Sequence, residues 1–451
     1  MGQSFVGVPP SGAAALAPDA RSCGPVSSRG RAERLLLVSA LSIATVAGAG
    51  SMGPLLGMHI PVRTLVVLAL GAIVVDCAPK RALEMSAGVG LLALATTNWV
   101  YAGYHLILVL ALFLARRRTL ALVFVLATFA LVVPKHLFGA HYNQPGFYNW
   151  LNEPSLTLVL FATACWWRER RDGRLPAGSE EASLPTWALL FLFPAHAANP
   201  MVYGPGDLFR ERRFDPPGVL VALGLVTSKA LAHVALWRCF PGWGYGGLDV
   251  AHAAALSRLN LWGIVLFNYV DLALTLSGTA DVAVMLARLY GWPLASPFRF
   301  ALLAWSPVEL WRRWGLYNRK LLLKLVYFPL GGSTRRRLLN VMLTFLGSAL
   351  LLHSGWFGSK YWTVGPGGWR DESVYFLLQG LAVCVCLVLR RTRDGRGDTG
   401  PDRRLRWSWG RVAGTVATQG SSALIHVVVL AQALPFSARF GVIARCLGLT
   451  R

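Results

Sequence analysis

LNLWGIVLFNYVDLALTLSG, residues Leu259 to Gly278, carries a single charge, Asp271. A helix rises 1.5 Å per residue, so about 20 residues cross the ~30 Å hydrocarbon layer of a bilayer. The stretch has that length and that apolarity. It reads as a membrane-spanning helix with polar residues set inside it.

Comparable runs lie on both sides, near 35–56, 61–77, 85–114, 119–134, 154–167, 184–203, 217–236, 300–311, 338–357, 373–389 and 411–436. With a span at 257–278 they predict an all-α, polytopic transmembrane bundle of about ten membrane segments. Composition agrees: 55% of the 451 residues are hydrophobic and only 14% are charged, with a mean hydropathy of +0.49. Soluble domains carry about 25% charged residues to face water. Residues 1–33, rich in Gly, Pro, Ser and Ala, read as a disordered tail ahead of one membrane body over 34–436. The run after Arg29, Arg31 and Arg34 reads as a signal-anchor helix, with a signal peptide as the alternative.

Lys and Arg number 44 against 21 Asp and Glu. Such an excess in a soluble chain would suggest nucleic acid, but no recognition motif for it is present. The basic residues cluster between apolar runs instead, at Arg116–Arg118, Arg168–Arg174, Arg210–Arg213 and Arg335–Arg337, as expected of cytoplasmic loops. Residues 390–411 hold eight arginines and read as a solvated cytoplasmic loop. Two basic clusters bracket the single run 184–203, whose Pro194 and Pro200 suggest a broken, re-entrant segment. The seven cysteines form no CxxC pair and no metal-ligand spacing, so neither a zinc site nor a disulfide framework is expected.

Polar residues inside apolar runs are costly and therefore mark candidate sites. The densest group is Asn268, Tyr269 and Asp271, followed by Ser277, Gly278, Thr279 and Asp281. The bland reading is that SGTAD breaks the helix and Thr279 or Asp281 caps a short one over 282–290. Trp311-Arg312-Arg313-Trp314 and Tyr327-Phe328-Pro329-Leu330-Gly331-Gly332 follow. Trp and Arg together also serve as ordinary membrane-interface anchors. The run 338–356 then holds one histidine, His353, a residue suited to general-base work near neutral pH. His59, His105, His196, His233, His252 and His426 are scattered, and His136 and His141 lie on an expected loop.

In this order and spacing the pieces resemble the membrane-bound O-acyltransferase family, in particular its bacterial alginate O-acetyltransferase and D-alanyl-transfer branch. Tyr269-Val-Asp271 with Ser277-Gly278-Thr279-Ala280-Asp281 is similar to that branch's YxDFSGYSD stretch. Trp311 to Trp314 is similar to its FWRRWH, Tyr327 to Gly332 to its YxPLGG, and Phe193-Pro194 with Asn199-Pro200-Met201 to its FPxxxAGPI. His353 corresponds to its catalytic histidine. The resemblance covers residues 193–380. Gly315 stands where the branch has a second histidine, and the segment before His353 is one residue longer.

The resemblance implies a helical body in a bacterial cytoplasmic membrane, with no bound cofactor and no metal. The acyl donor would be a thioester, acyl-CoA or acyl carrier protein. The acceptor would be a hydroxyl of a polysaccharide, lipid or secondary metabolite. His353 would take the hydroxyl's proton and Asp271 would support it. Arg312, Arg313, Trp314, Tyr327, Asn318 and Asp281 would contact substrate, the arginines meeting donor phosphates and Asn318 standing in for the histidine lost at Gly315. The competing reading is a non-catalytic membrane protein, a transporter or an acyltransferase-fold protein without activity.

Overall fold

The computed structural model describes residues 28–55, 62–77, 81–97, 106, 214–245, 248–353, 368–394, 409–431 and 434–450. Among these every regular element is helical. The helices are α1 (Ser28–Leu55), α2 (Val62–Cys77), α3 (Ala82–Thr97), α4 (Pro216–Cys239), α5 (Val250–Ala255) and α6 (Arg258–Leu289), then α7 (Pro307–Arg313) and α8 (Leu316–Leu322). After them come α9 (Arg337–Gly347), α10 (Gly368–Asp394), α11 (Trp409–Leu430) and α12 (Phe436–Leu447).

Four helices are long and apolar enough to cross a membrane: α4, α6, the part of α10 over Arg370–Leu389, and α11. The chain is a membrane protein by this measure. The apolar run at 300–311 is not a span: a 3₁₀ turn at Ala301–Leu303 and the seven-residue α7 occupy it. Helix α1 starts at Ser28, inside the stretch that sequence gave to the tail. The basic segment 390–411 is narrowed from both sides, because α10 continues to Asp394 and α11 begins at Trp409. The runs at 119–134, 154–167 and 184–203, and the basic clusters at 116–118, 168–174 and 210–213, lie outside the described residues.

Helix α6 is the centre of the arrangement and packs against α1, α4, α11 and α12. It opens on Ser257, whose hydroxyl accepts from the Asn260 amide at 3.2 Å, the usual N-cap bond. It then runs 32 residues without a break. The expected interruption at SGTAD does not occur. Ser277 and Thr279 turn their hydroxyls back to the carbonyls of Leu274 and Leu276, at 3.4 and 2.9 Å. Satisfied within their own helix, they have no need of a cap.

One side of α6 meets α11 through Leu261, Val265 and Tyr269 against Ala423 and Val427, all buried. Lipid tails are as apolar as leucine, so hydrophobic burial does little to hold such helices together. Close approach through small residues and polar pairs does that work. Arg439 of α12 is such a pair: it donates to Asp371 of α10 at 2.6 Å and to the Val428 and Leu434 carbonyls at 2.5 and 3.0 Å.

Candidate functional site

Successive residues of α6 point to different neighbours because a helix turns about 100° per residue, so positions two apart lie nearly opposite. Tyr269 faces α11. Asp271 faces α4. This divides the sequence-expected site into two polar regions on opposite sides of one span.

The first is the seam between α4 and α6, which run antiparallel. Asp281 accepts from Lys229 of α4 at 2.5 Å and from the Ser296 hydroxyl at 2.6 Å. Lys229 also reaches the Ser277 carbonyl at 3.4 Å. Asp281 is 2% exposed, so its charge is held by these partners and not by water. Ten residues earlier on α6, Asp271 accepts from Trp237 Nε1 at 2.8 Å. His233 Nδ1 lies 2.7 Å from the same carboxylate oxygen. Its N–H is not aimed along that line and makes no hydrogen bond. His233 and Asp271 side chains are 19% and 22% exposed.

The second region is buried among α6, α7, α10 and α11. His426 Nδ1 is 2.7 Å from the Ser422 carbonyl. A carbonyl only accepts, so Nδ1 carries the proton and Nε2 accepts from the Tyr375 hydroxyl at 2.8 Å. Tyr269 stacks 4.9 Å from the imidazole and donates to Gln419 at 2.8 Å. Gln419 in turn donates to the Ala301 and Ala304 carbonyls at 3.2 and 3.0 Å. Trp314 lies with its ring 6.3 Å from His426, and Trp311 donates to Gln379 at 3.3 Å. The two tryptophans of the WRRW motif thus bind the hub to α7.

The arginines between them diverge. Helix α7 begins at Ser306, which caps the Glu309 amide at 3.3 Å, with Pro307 in its first turn. Glu309 then pairs with Arg313 one turn later, at 2.6 and 3.0 Å. Arg313 is balanced inside its own helix. Among the described residues Arg312 has no carboxylate partner, nor do Arg299 and Arg319, and both of the other two lie close enough to Arg319 to repel it. Burial first, and Arg312 and Arg299 second, lower the Arg319 guanidinium below its ordinary pKa. Its Nε is buried without a partner, as is the Asn318 carboxamide oxygen.

Gly315 joins α7 to α8 at φ +61°, a left-handed conformation natural to glycine. A Cβ there would meet nothing nearer than Asn318 Cβ at 4.0 Å. Backbone handedness, not crowding, is what favours glycine at this position. The Asn318 side chain also flanks the place where the related branch carries histidine.

Tyr327 closes a π turn, Leu323–Tyr327, and is buried. Burial raises its hydroxyl pKa, and Arg337 pulls the other way. The following Gly331 and Gly332 have φ of +96° and +57°. Asn340 clasps this turn by donating to the Leu330, Gly332 and Arg335 carbonyls at 3.1, 2.9 and 2.7 Å. The PLGG sequence is therefore a clasped turn in this chain. His353 ends the π turn Ser348–His353 that extends α9, and its imidazole lies outside the described side chains.

No family model matches the sequence, and no curated protein matches it.

Of the expected site residues, the WRRW turn brings together Arg312, Trp314 and Asn318. Asp271 and Asp281 stand apart from them on the α4 side of α6. Sequence reading passed over His233, Lys229 and His426. The first two are four residues apart and so share one face of α4, a spacing that could have drawn attention to them. His426 gave no such signal, because its partners come from other helices. Among the described residues no group of His, Cys, Asp and Glu is arranged to hold a metal ion.

Proposed function

We propose that this chain is a membrane-bound O-acyltransferase with a multi-pass, acyltransferase-like helical body of about ten spans. It moves an acyl group from a phosphate-bearing thioester, acyl-CoA or acyl carrier protein, to a hydroxyl. The observation that carries the reading is the basic cluster at the WRRW turn. Arg312 and Arg299 lie close enough to Arg319 there to act on its charge, and among the described residues the three have no carboxylate partner, while Arg319 Nε and the Asn318 carboxamide oxygen are buried and unpaired. Guanidinium groups bind phosphates through charge-assisted, often bidentate hydrogen bonds, which fits the anionic end of such a donor. Arg313, expected beside Arg312 in this role, is already committed to Glu309.

The order of the YVD, SGTAD, WRRW and YFPLGG segments ahead of His353 supports the same reading. His353 is the general base that the resemblance supplies. The test is transfer from acetyl-coenzyme A by the purified protein, read as thiol release with ester formation. His353→Ala should lower the rate by roughly 10²–10⁴, the range of acid–base catalysis. Undiminished transfer would remove His353 from the mechanism.

A second reading, a membrane protein without catalysis, is favoured by one observation. Gly315 replaces the branch's second histidine and sits on a left-handed backbone. Absence of thiol release with every acceptor class would favour it.

A further inference from the structure

We infer that Glu372, at the start of α10, is the carboxylate that orients His353, at the end of the π turn that extends α9. The inference rests on the acyl-transfer reading and deepens it by naming a positioning residue for its base.

The register of the two segments brings the pair together. Cys384 Sγ of α10 meets the Leu338 carbonyl of α9 at 3.6 Å. A Cβ on Gly380 would touch Phe345 at 3.2 Å. Ala349, in the π turn Ser348–His353, is buried together with Tyr375 and Phe376. Numbering rises along one segment as it falls along the other, so the two run antiparallel. Phe345 to Ala349 and Gly380 to Phe376 are matched steps of four residues, close to one helical turn each. The next matched step leads from Ala349 to His353 and from Phe376 to Glu372. His353 and Glu372 therefore stand level on adjacent segments.

Glu372 lacks a donor. It is 5% exposed, and its Oε1 is buried with no hydrogen-bond partner among the described residues. Asp371 beside it is satisfied differently, by Arg439 at 2.6 Å and Arg370 at 3.2 Å. A buried carboxylate oxygen without a donor is costly. An imidazole N–H is such a donor, and that bond fixes the tautomer whose other nitrogen is basic. The turn proposed to hold the donor phosphates is fixed to the same helix. Its Trp311 donates to Gln379 at 3.3 Å, two turns or about 10 Å along α10 from Glu372.

The step balances without a proton change at Glu372. His353 takes the hydroxyl proton as the oxygen bonds to the thioester carbonyl carbon. The carbon–sulfur bond breaks, and the thiolate recovers that proton from the imidazolium, giving an ester and a thiol.

The full-length protein in detergent, with acetyl-coenzyme A as thioester and octyl glucoside as hydroxyl acceptor, provides the test. Glu372→Gln keeps the shape and removes the charge. It should lower kcat by at least about tenfold and at most roughly 10⁴, the loss when a catalytic imidazole is deprived of its carboxylate. KM for acetyl-coenzyme A should change little, and Glu372→Asp should retain more activity than Glu372→Gln. Residues that act as a unit are not additive, so Glu372→Gln should cost nothing further in a His353→Ala background. A wild-type kcat in Glu372→Gln, or a loss that persists in full beside His353→Ala, overturns the inference.

A second measurement needs no acyl transfer. The double variant His353→Cys, Glu372→Cys should form a disulfide under mild oxidation, identified by peptide mass spectrometry, since bridged Cα atoms lie within about 7 Å. Absence of that link overturns the pairing and leaves the acyl-transfer reading standing. If the link forms but the wild type transfers nothing, the acyl-transfer reading falls, and this positioning role falls with it.

Discussion

Two histidines of this protein sit on opposite sides of α6, and they differ in what their nitrogens touch. His426 lies in the hub between α6, α10 and α11, donating to Ser422 and accepting from Tyr375. His233 lies on the α4 side, with Nδ1 2.7 Å from a carboxylate oxygen and, among the described residues, without a hydrogen bond on that nitrogen. Burial and full satisfaction make the first a packing element. Partial exposure and an anionic neighbour set the second apart. Residue type and an apolar setting are common to both. What separates them is the inventory of partners, and each partner comes from a different helix.

The largest effect on stability is expected in the seam, at the ion pair between buried Asp281 and half-buried Lys229. Asp281→Leu leaves Lys229 charged among apolar helices, and breaking a buried pair from one side costs about 3–5 kcal/mol. The double variant Lys229→Met, Asp281→Leu should recover most of that loss. Unfolding midpoints in detergent would show it. A double variant as unstable as the single one would mean that the seam needs its charges for packing and not only for neutrality.

His426→Ala comes next. It leaves the Tyr375 hydroxyl without its acceptor and opens a cavity beside Tyr269, for a combined loss of roughly 2–4 kcal/mol. His233→Ala, by contrast, should unfold at nearly the wild-type midpoint, since it gives up no well-formed hydrogen bond. Equal destabilisation by the two substitutions would erase the distinction drawn between them.

The smallest effect is expected for Trp237→Phe, which keeps the ring and removes the donor to Asp271. Interhelical hydrogen bonds in membrane proteins average about 0.6 kcal/mol and reach about 1.7. The midpoint should move within that range. A larger shift would show that Trp237 organises the seam as a whole.

The two carboxylates of the seam, but not their partners, were legible in advance. Asp271 and Asp281 stood out as charges in an apolar run, and the WRRW and PLGG segments stood out as motifs. What they do was less legible. Arg312 and Arg313 are adjacent and chemically identical, yet Glu309 at the i−4 position neutralises only one of them. The SGTAD stretch looks like a helix break by composition, yet serine and threonine can return their hydroxyls to the preceding turn, and here they do. The hub around His426 was invisible, because Tyr269, Tyr375, Gln379 and Gln419 are far apart in sequence and single polar residues in apolar runs look alike.

Sequence by itself determined that this is a helical membrane protein, since apolar run length and charge content follow from composition and bilayer thickness alone. It also determined which residues carry a cost that calls for a partner. Only the tertiary structure decided which partner each one has. A helix turns 100° per residue, so Tyr269 and Asp271 are bound to face apart. Which neighbouring helix lies on either side is set by packing between segments 34 residues apart on the α4 side and 150 apart on the α11 side, and no local pattern encodes it.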